Sequence, residues 1–427
     1  MPRILKILAT FAFILASLLV FVIIVGSPRS IDYELAAVDL DSEALIERGR
    51  YVATAGNCDA CHTIEGGAFM AGGLPFKTPF GTIYSTNISP DRETGIGDWS
   101  VEEFLVSMRL GVGPDGTHFY PAFPYPSFTR TSDEDIVALY AYFQSIPAIA
   151  QASPENELAF PFNIRALMGI WKALFFEPGA YDEDPTRSAE WNRGAYLVEG
   201  LTHCGACHTP RNRLGAEVAG EALRGGAYFD RVGEGAYQVW SAPDITSSSV
   251  GLSLWSHDEL TDYLQSGRND FLDVTGPMIE VVVHSTRHLD ESDIDAMATY
   301  LQSMPGEDRA DNVEPDRSVM GRGRTVYNLH CGTCHLPTGL GDTEMGPKLN
   351  RGSLVVQSSN PASMINMILY GPKVPDFEDL PKRWRVPMGE FRYELDDEEV
   401  AAVATYIRNS WDNRAGLVTP DQVARQR

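Results

Sequence analysis

Cys58-Asp59-Ala60-Cys61-His62, Cys204-Gly205-Ala206-Cys207-His208 and Cys331-Gly332-Thr333-Cys334-His335 are three copies of one pentapeptide, and together they use every cysteine of the chain. Cys-x-x-Cys-His is the attachment signature of c-type haem. The two thiols form thioether bonds to the haem vinyl groups, and the adjacent imidazole becomes the proximal iron ligand. The spacing has a physical reason: one tight helical turn presents both sulfurs to neighbouring edges of the porphyrin and turns the next side chain under the iron. A single copy also reads as half of a zinc site, as a thioredoxin-type redox pair or as two small buried residues. Three copies, each with its His, about one domain length apart and with no cysteine to spare for a disulfide, decide for haem. The expected cofactors are three covalently bound haem c groups. Cys58, Cys61, Cys204, Cys207, Cys331 and Cys334 carry the thioethers, and His62, His208 and His335 bind iron.

Working outward, each motif sits inside a recurring unit. An Arg-Gly pair precedes each first cysteine: Arg48-Gly49, Arg193-Gly194 and Arg322-Gly323. A helix-weakening glycine costs about 1 kcal/mol relative to alanine, so its threefold recurrence predicts a close helix crossing. Each unit closes on Asp/Glu residues followed by a 3.6-period apolar run: Ser132 to Phe143, Leu289 to Leu301 and Leu395 to Ile407. Acidic first turns complement the helix dipole, so these clusters read as helix starts and not as metal sites. Tyr142, Tyr300 and Tyr406 recur late in the three helices and fit the crossing at the upstream glycine.

This order of helix, attachment turn, middle helices and aromatic-rich last helix resembles the small all-α cytochrome c domain. The fold class expected is therefore all-α: three tandem cytochrome c-like domains after an N-terminal transmembrane helix. In such domains the sixth iron ligand is usually a Met thioether, in a loop a dozen or so residues before the last helix. Met278 in Thr275-Gly-Pro-Met278 and Met388 in Val386-Pro-Met388-Gly match that pattern. Most methionines are adaptable core filler; these two differ in following proline at a shared offset from a repeated helix. In the first unit the corresponding residue is Phe123, which cannot bind iron. Met108, on a helix expected from Val101 to Leu110, and His118 are the alternatives, followed by Met70 and a five-coordinate iron.

The chain has 427 residues, 44% of them hydrophobic, and a formal charge of −24. The apolar content excludes wholesale disorder, and the length allows about three domains. An acidic surface repels polyanions, which argues against nucleic acid as a partner. From Ile7 to Pro28 no charged residue occurs, and Arg3 and Lys6 precede the run. At 1.5 Å per residue the run is long enough to cross a hydrocarbon core about 30 Å thick. It reads as an uncleaved anchor with a cytoplasmic basic flank, or as a secretory signal. Both readings export the remainder, so the expected location is the periplasmic side of a bacterial inner membrane. The expected organisation is anchor or signal 1–30, first domain 40–150, apolar linker segment 151–185, second domain 186–305, linker 306–318, third domain 319–412 and tail 413–427. The aromatic stretch Ala159 to Phe176 is too apolar for a solvated linker: it reads as a packed helix or as a surface for a partner, a quinone or the membrane.

Over nearly its whole length the sequence resembles the triple-haem cytochrome c subunits of membrane-bound periplasmic dehydrogenases. The likeness rests on Thr78-Pro-Phe-Gly-Thr-Ile-Tyr-Ser-Thr-Asn-Ile88, Thr94-Gly-Ile-Gly-Asp-Trp99, Tyr120-Pro-Ala-Phe-Pro-Tyr125, His203-Cys-Gly-Ala-Cys-His-Thr-Pro-Arg211 and Ala404-Thr-Tyr-Ile-Arg-Asn-Ser-Trp411. The resemblance implies a conductor. A catalytic dehydrogenase subunit (quinoprotein, flavoprotein or molybdenum enzyme) delivers electrons, which leave to ubiquinone in the membrane. The residues agree with an absence of substrate chemistry, since no dinucleotide fingerprint or phosphate loop occurs. Two other readings stay open: a ligand-binding or peroxidase-like cytochrome with an open first haem, and a structural zinc protein. Trp99 and Trp255, in matching Trp-Ser contexts, are read either as propionate donors or as core.

Overall fold

The computed structural model describes residues 38–232, 236–269, 271–307, 314–350, 352–375, 377, 380 and 386–427. The apolar run from Ile7 to Pro28 lies outside the described residues. Among them, no helix is long and apolar enough to cross a membrane.

Among the described residues, the chain forms two compact units, one of the residues up to Ala53 with Cys61–Asp182, the other of Thr54–Ala60 with Glu183–Arg427. The first contains helices α1 (Glu43–Ala55) and α2 (Cys58–His62), which cross its boundary, then α3 (Val101–Leu110), α4 (Asp133–Ser145) and α5 (Leu167–Phe175). In the second, α6 (Ala189–Ala195) runs into a π-turn at Tyr196–Leu201 and then α7 (Gly205–His208), α8 (His257–Ser266), α9 (Met278–His284) and α10 (Glu291–Ser303). It continues with α11 (Arg317–His330), α12 (Gly332–His335), α13 (Ala362–Tyr370) and α14 (Asp397–Arg408).

The helix crossing expected from the Arg-Gly pairs is present three times. Gly49 of α1 lies against the Ala138 carbonyl of α4, and a Cβ there would come 2.8 Å from Tyr142 Cβ. Gly194 meets the Ala296 carbonyl and Tyr300 (2.7 Å), and Gly323 meets the Ala402 carbonyl and Tyr406 (2.6 Å). Only glycine allows that approach. The preceding arginine clamps the same crossing. Arg48 Nε donates to Asp135 at 2.8 Å, Arg193 binds Asp293 through two bonds of 2.8 and 2.6 Å, and Arg322 pairs with Glu398. The acidic helix starts thus do two jobs, complementing the dipole and receiving the arginine.

The all-α expectation is corrected by two antiparallel sheets. Strands β1 (Pro75–Thr78), β2 (Gly81–Tyr84) and β3 (Glu157–Leu158) form a three-stranded sheet in that order, with Phe76 opposite Ile83. Its tight connection needs Gly81, which has φ +132° and leaves no room for a Cβ beside β3. The second unit carries a long hairpin, β4 (Arg224–Val232) against β5 (Ala236–Asp244), with Tyr228 opposite Trp240. These segments are rich in aromatic and β-branched residues, which suit a pleated, half-buried surface. The free edge of β5 is covered: Asn366 Nδ2 of α13 donates to Val239 O at 2.9 Å, Gln426 Nε2 reaches the same oxygen, and Ser363 exchanges bonds with Ser241. Covering an edge in this way removes a site for unwanted strand pairing.

Trp255 sits in the core and donates through Nε1 to Gly352 O at 2.9 Å, so its indole N–H is committed to joining the second and third haem segments. The matching contexts of Trp99 and Trp255 prove to be helix starts, where Ser100 with Glu103 and Ser256 with Glu259 form capping boxes. The second half of the apolar stretch forms α5, whose Trp171 and Lys172 are buried; Trp171 and Phe176, just past the helix end, pack edge-on to Tyr125.

Candidate haem centres

Each Cys-x-x-Cys-His sequence forms a single helical turn: α2, the Cys204 corner with α7, and the Cys331 corner with α12. All six cysteines are half-buried and form no disulfide. Burial pushes the Cys207 thiol up to about 11 and the Cys331 thiol to about 12, and it raises Cys204 as well. Among the described residues, no group of three His, Cys, Asp or Glu side chains gathers to hold a bare metal ion.

The three histidines share a second feature. Nδ1 of His62 bonds the Thr86 carbonyl at 2.6 Å, that of His208 the Pro243 carbonyl at 2.8 Å, and that of His335 the Pro347 carbonyl at 2.9 Å. A carbonyl only accepts, so Nδ1 carries the proton and Nε2 keeps its lone pair for a metal. Burial lowers the pKa of all three rings, and the carbonyl bond opposes it only in part. The imidazoles are therefore neutral, as an iron ligand must be, and the carbonyl bond fixes their orientation and increases their basicity.

In the second segment the surroundings fit a haem independently. Trp240 of β5 is buried and its Nε1 has no hydrogen-bond partner. Gly276, with φ +62°, packs on the face of that indole, where a Cβ would lie 2.6 Å from Cζ3. Pro243, which receives His208, is on the same strand as Trp240, and Met278 lies two residues beyond Gly276. A buried N–H without an acceptor is costly, and a haem carboxylate would supply the missing acceptor.

Met278 opens α9 and packs half-buried against Val274, Val282 and Phe377; it stands at a helix start where a loop was expected. Met388 is half-buried outside helix or strand and packs on the third core. In the first segment Phe123 lies with Phe119 and Phe128 in an aromatic cluster, at ring separations of 5.9 and 5.4 Å. Met108 is buried on α3, and Met70 is buried in the left-handed region at φ +58°.

His118 is held differently from the three motif histidines. Lys172 Nζ, buried by α5, reaches Leu110 O and Gly111 O at 2.7 Å each and His118 Nδ1 at 3.1 Å. The Nδ1 edge of His118 is thereby engaged by a buried amine, whereas the three motif histidines turn that nitrogen to a backbone carbonyl. Burial pulls the Lys172 pKa down to about 7.

Sequence reasoning missed the arginine clamps, Trp240, Lys172 and the histidine-orienting carbonyls. The last had a signal: Pro243 and Pro347 each follow an attachment motif, although Thr86 plays that part in the first segment.

The Cytochrome c family model matches residues 46–147 and 320–411. The gluconate 2-dehydrogenase cytochrome c subunit of Pantoea cypripedii is 39% identical over 415 residues, 92% of each chain. The chain belongs to the cytochrome c subunits of dehydrogenases. The cytochrome c subunit of the quinone-type alcohol dehydrogenase of Gluconobacter oxydans (strain 621H) is also 39% identical, over 92% of this chain and 84% of its own. A nicotinate dehydrogenase component of Pseudomonas putida is 44% identical over 86% of this chain, which spans only 30% of that longer protein. The cytochrome described here holds haem c covalently and works in electron transfer for a dehydrogenase, not as the substrate-oxidising component. The match to residues 46–147 and 320–411 leaves out the segment that carries the β4–β5 hairpin and the π-turn.

Proposed function

We propose that the protein carries three haems c and conducts electrons from a catalytic dehydrogenase partner to ubiquinone at the periplasmic face of the bacterial inner membrane. The observation that carries this reading is the threefold repetition of one construction: two thiols and a neutral imidazole on a single turn, with Nδ1 tied to a carbonyl. When bound, haem iron supplies reversible one-electron chemistry. The chain's residues do the rest: the cysteines would fix the group, His62, His208 and His335 would bind its iron, and Met278 and Met388 would supply the second and third sites with soft thioethers that favour the ferrous state. For the first site, Met108 is assigned ahead of His118, because the His118 ring is already engaged by the buried Lys172 amine. The partner is a quinoprotein, flavoprotein or molybdenum enzyme.

Phe123, in its aromatic cluster, favours a second reading in which the first iron lacks a sixth protein ligand and binds small molecules. The test joins both. The complex with its dehydrogenase is reduced by the dehydrogenase substrate under carbon monoxide, then mixed with a short-chain ubiquinone. Reduction of all haems, reoxidation by the quinone and no carbon monoxide shift support the conductor. A shift in one haem with no reoxidation by quinone supports the second reading.

A further inference from the structure

His203 belongs to a motif singled out in the sequence, and attachment and ligation leave it without a role. It directly precedes Cys204, and its backbone is in the left-handed region at φ +41°. Asn57, which directly precedes Cys58, has the same conformation at φ +52°. Asparagine and histidine are both among the residues enriched in that conformation, so the two attachment turns are entered in the same way. The His203 ring is aimed at the first attachment turn: Nε2 reaches the Gly56 carbonyl at 3.2 Å. The short segment Thr54–Ala60, with Cys58 in it, is grouped with the second unit, and two further bonds hold it there. Ser285 Oγ donates to Ala55 O at 3.0 Å, and His284 Nδ1 meets Asp59 Oδ2 at 2.9 Å.

We propose that His203 is a positioning residue for electron exchange between the first two haems, its hydrogen bond to Gly56 joining the backbone before Cys58 to the backbone before Cys204. Covalent bonds run from the Cys204 sulfur to the His203 ring. One N–H···O bond crosses to Gly56, and covalent bonds continue through Asn57 to the Cys58 sulfur. Tunnelling decays more slowly along such a bonded path than across an open gap. In the step, one electron leaves a ferrous iron at one attachment turn and reduces a ferric iron at the other. No bond forms or breaks, and His203 keeps its proton throughout. The inference rests on haems being attached at Cys58 and Cys204.

The test uses the full chain in three variants, His203→Ala, His203→Gln and Ser285→Ala, each first checked for haem content by pyridine haemochrome and intact mass. Loss of a haem already in the parent chain would refute the three-haem reading; full loading isolates the bridge. Spectroelectrochemical titration gives the haem potentials, and photoreduction with rapid spectroscopy gives the rate of exchange between haems. The expected result is a severalfold slower exchange in His203→Ala at unchanged potentials, with partial recovery in His203→Gln, whose amide N–H reaches a similar distance. Ser285→Ala, which loosens the same segment without touching the bridge, leaves the rate unchanged. An unchanged rate in fully loaded His203→Ala, or equal slowing in Ser285→Ala, overturns the proposal. If His203→Ala fails to load haem, His203→Leu against His203→Gln carries the comparison: slower exchange in His203→Leu with a rate near the parent's in His203→Gln supports the bridge, and equal rates in the two overturn it.

Discussion

Gly323→Ala and Gly321→Ala place the same substitution two residues apart on helix α11, with opposite expected effects. Alanine improves an exposed helix interior by about 0.5–1 kcal/mol relative to glycine. At Gly321 nothing lies within 4 Å of the new methyl, so that gain stands. At Gly323 the methyl would press into the Ala402 carbonyl and lie 2.6 Å from Tyr406 Cβ. Carbon atoms pack at about 3.5–4 Å, so α11 and α14 must part by about an ångström. Neither obstacle is the far end of a flexible side chain, and the displaced crossing includes Tyr327, Val403 and Ile407, all buried in the third core. Overpacking typically costs ~1–3 kcal/mol, and against backbone the upper end applies. Net of the helix gain, Gly323→Ala loses about 2 kcal/mol while Gly321→Ala gains up to about 1. Because several haem segments unfold in one chain, a single melting temperature is a poor measure. Native-state hydrogen exchange of the Asp397–Arg408 amides reads the third core directly. Equal protection in the two variants, or greater protection in Gly323→Ala, would refute the crossing argument.

Other outcomes follow from the same geometry. Asp293→Asn removes a carboxylate that is almost buried and leaves Arg193 half-exposed; the expected loss is about 2 kcal/mol, below the full penalty for breaking a buried pair, measured by exchange in α10. His284 has its pKa raised to about 9 by Asp59 first and Glu280 second. Its contribution is complete below about pH 6.5 and is lost as pH rises through about 9, so protection of residues 54–60 falls over that window in the parent and stays flat in His284→Asn. Met388→Ala removes one iron–sulfur band from the red end of the oxidised spectrum and lowers one haem potential; an unchanged spectrum rejects Met388 as a ligand. Met108→Ala opens one haem to carbon monoxide whereas His118→Ala does not, and the reverse pattern would reject Met108 as the ligand.

The attachment turns, the glycine crossings and the capped last helices were legible because each depends on local chemistry repeated three times. A Cys-x-x-Cys-His turn, a glycine facing a carbonyl and an acidic first turn carry their reasons within a few residues. The strands were not legible in a chain read through its helical repeats. Gly81 and the aromatic alternation around Trp240 mark them, but their pairing is made across loops that periodicity does not span. Lys172 was harder still: a lysine in an apolar stretch reads as a solubilising charge until the fold brings two carbonyls and an imidazole to it. Trp255 shows the opposite lesson, since its indole N–H is already satisfied by Gly352 while the unheralded Trp240 is the one without a partner.

The central claim is three covalent haems on three like turns. Intact mass spectrometry of the purified chain, with pyridine haemochrome quantitation, tests it most directly. The account predicts the chain mass plus three haems, falling by one haem when both cysteines of a motif are replaced by alanine, Cys58 with Cys61, Cys204 with Cys207 and Cys331 with Cys334 in turn. A mass showing two haems or fewer in the parent chain, or a double variant that keeps all three haems, would contradict it.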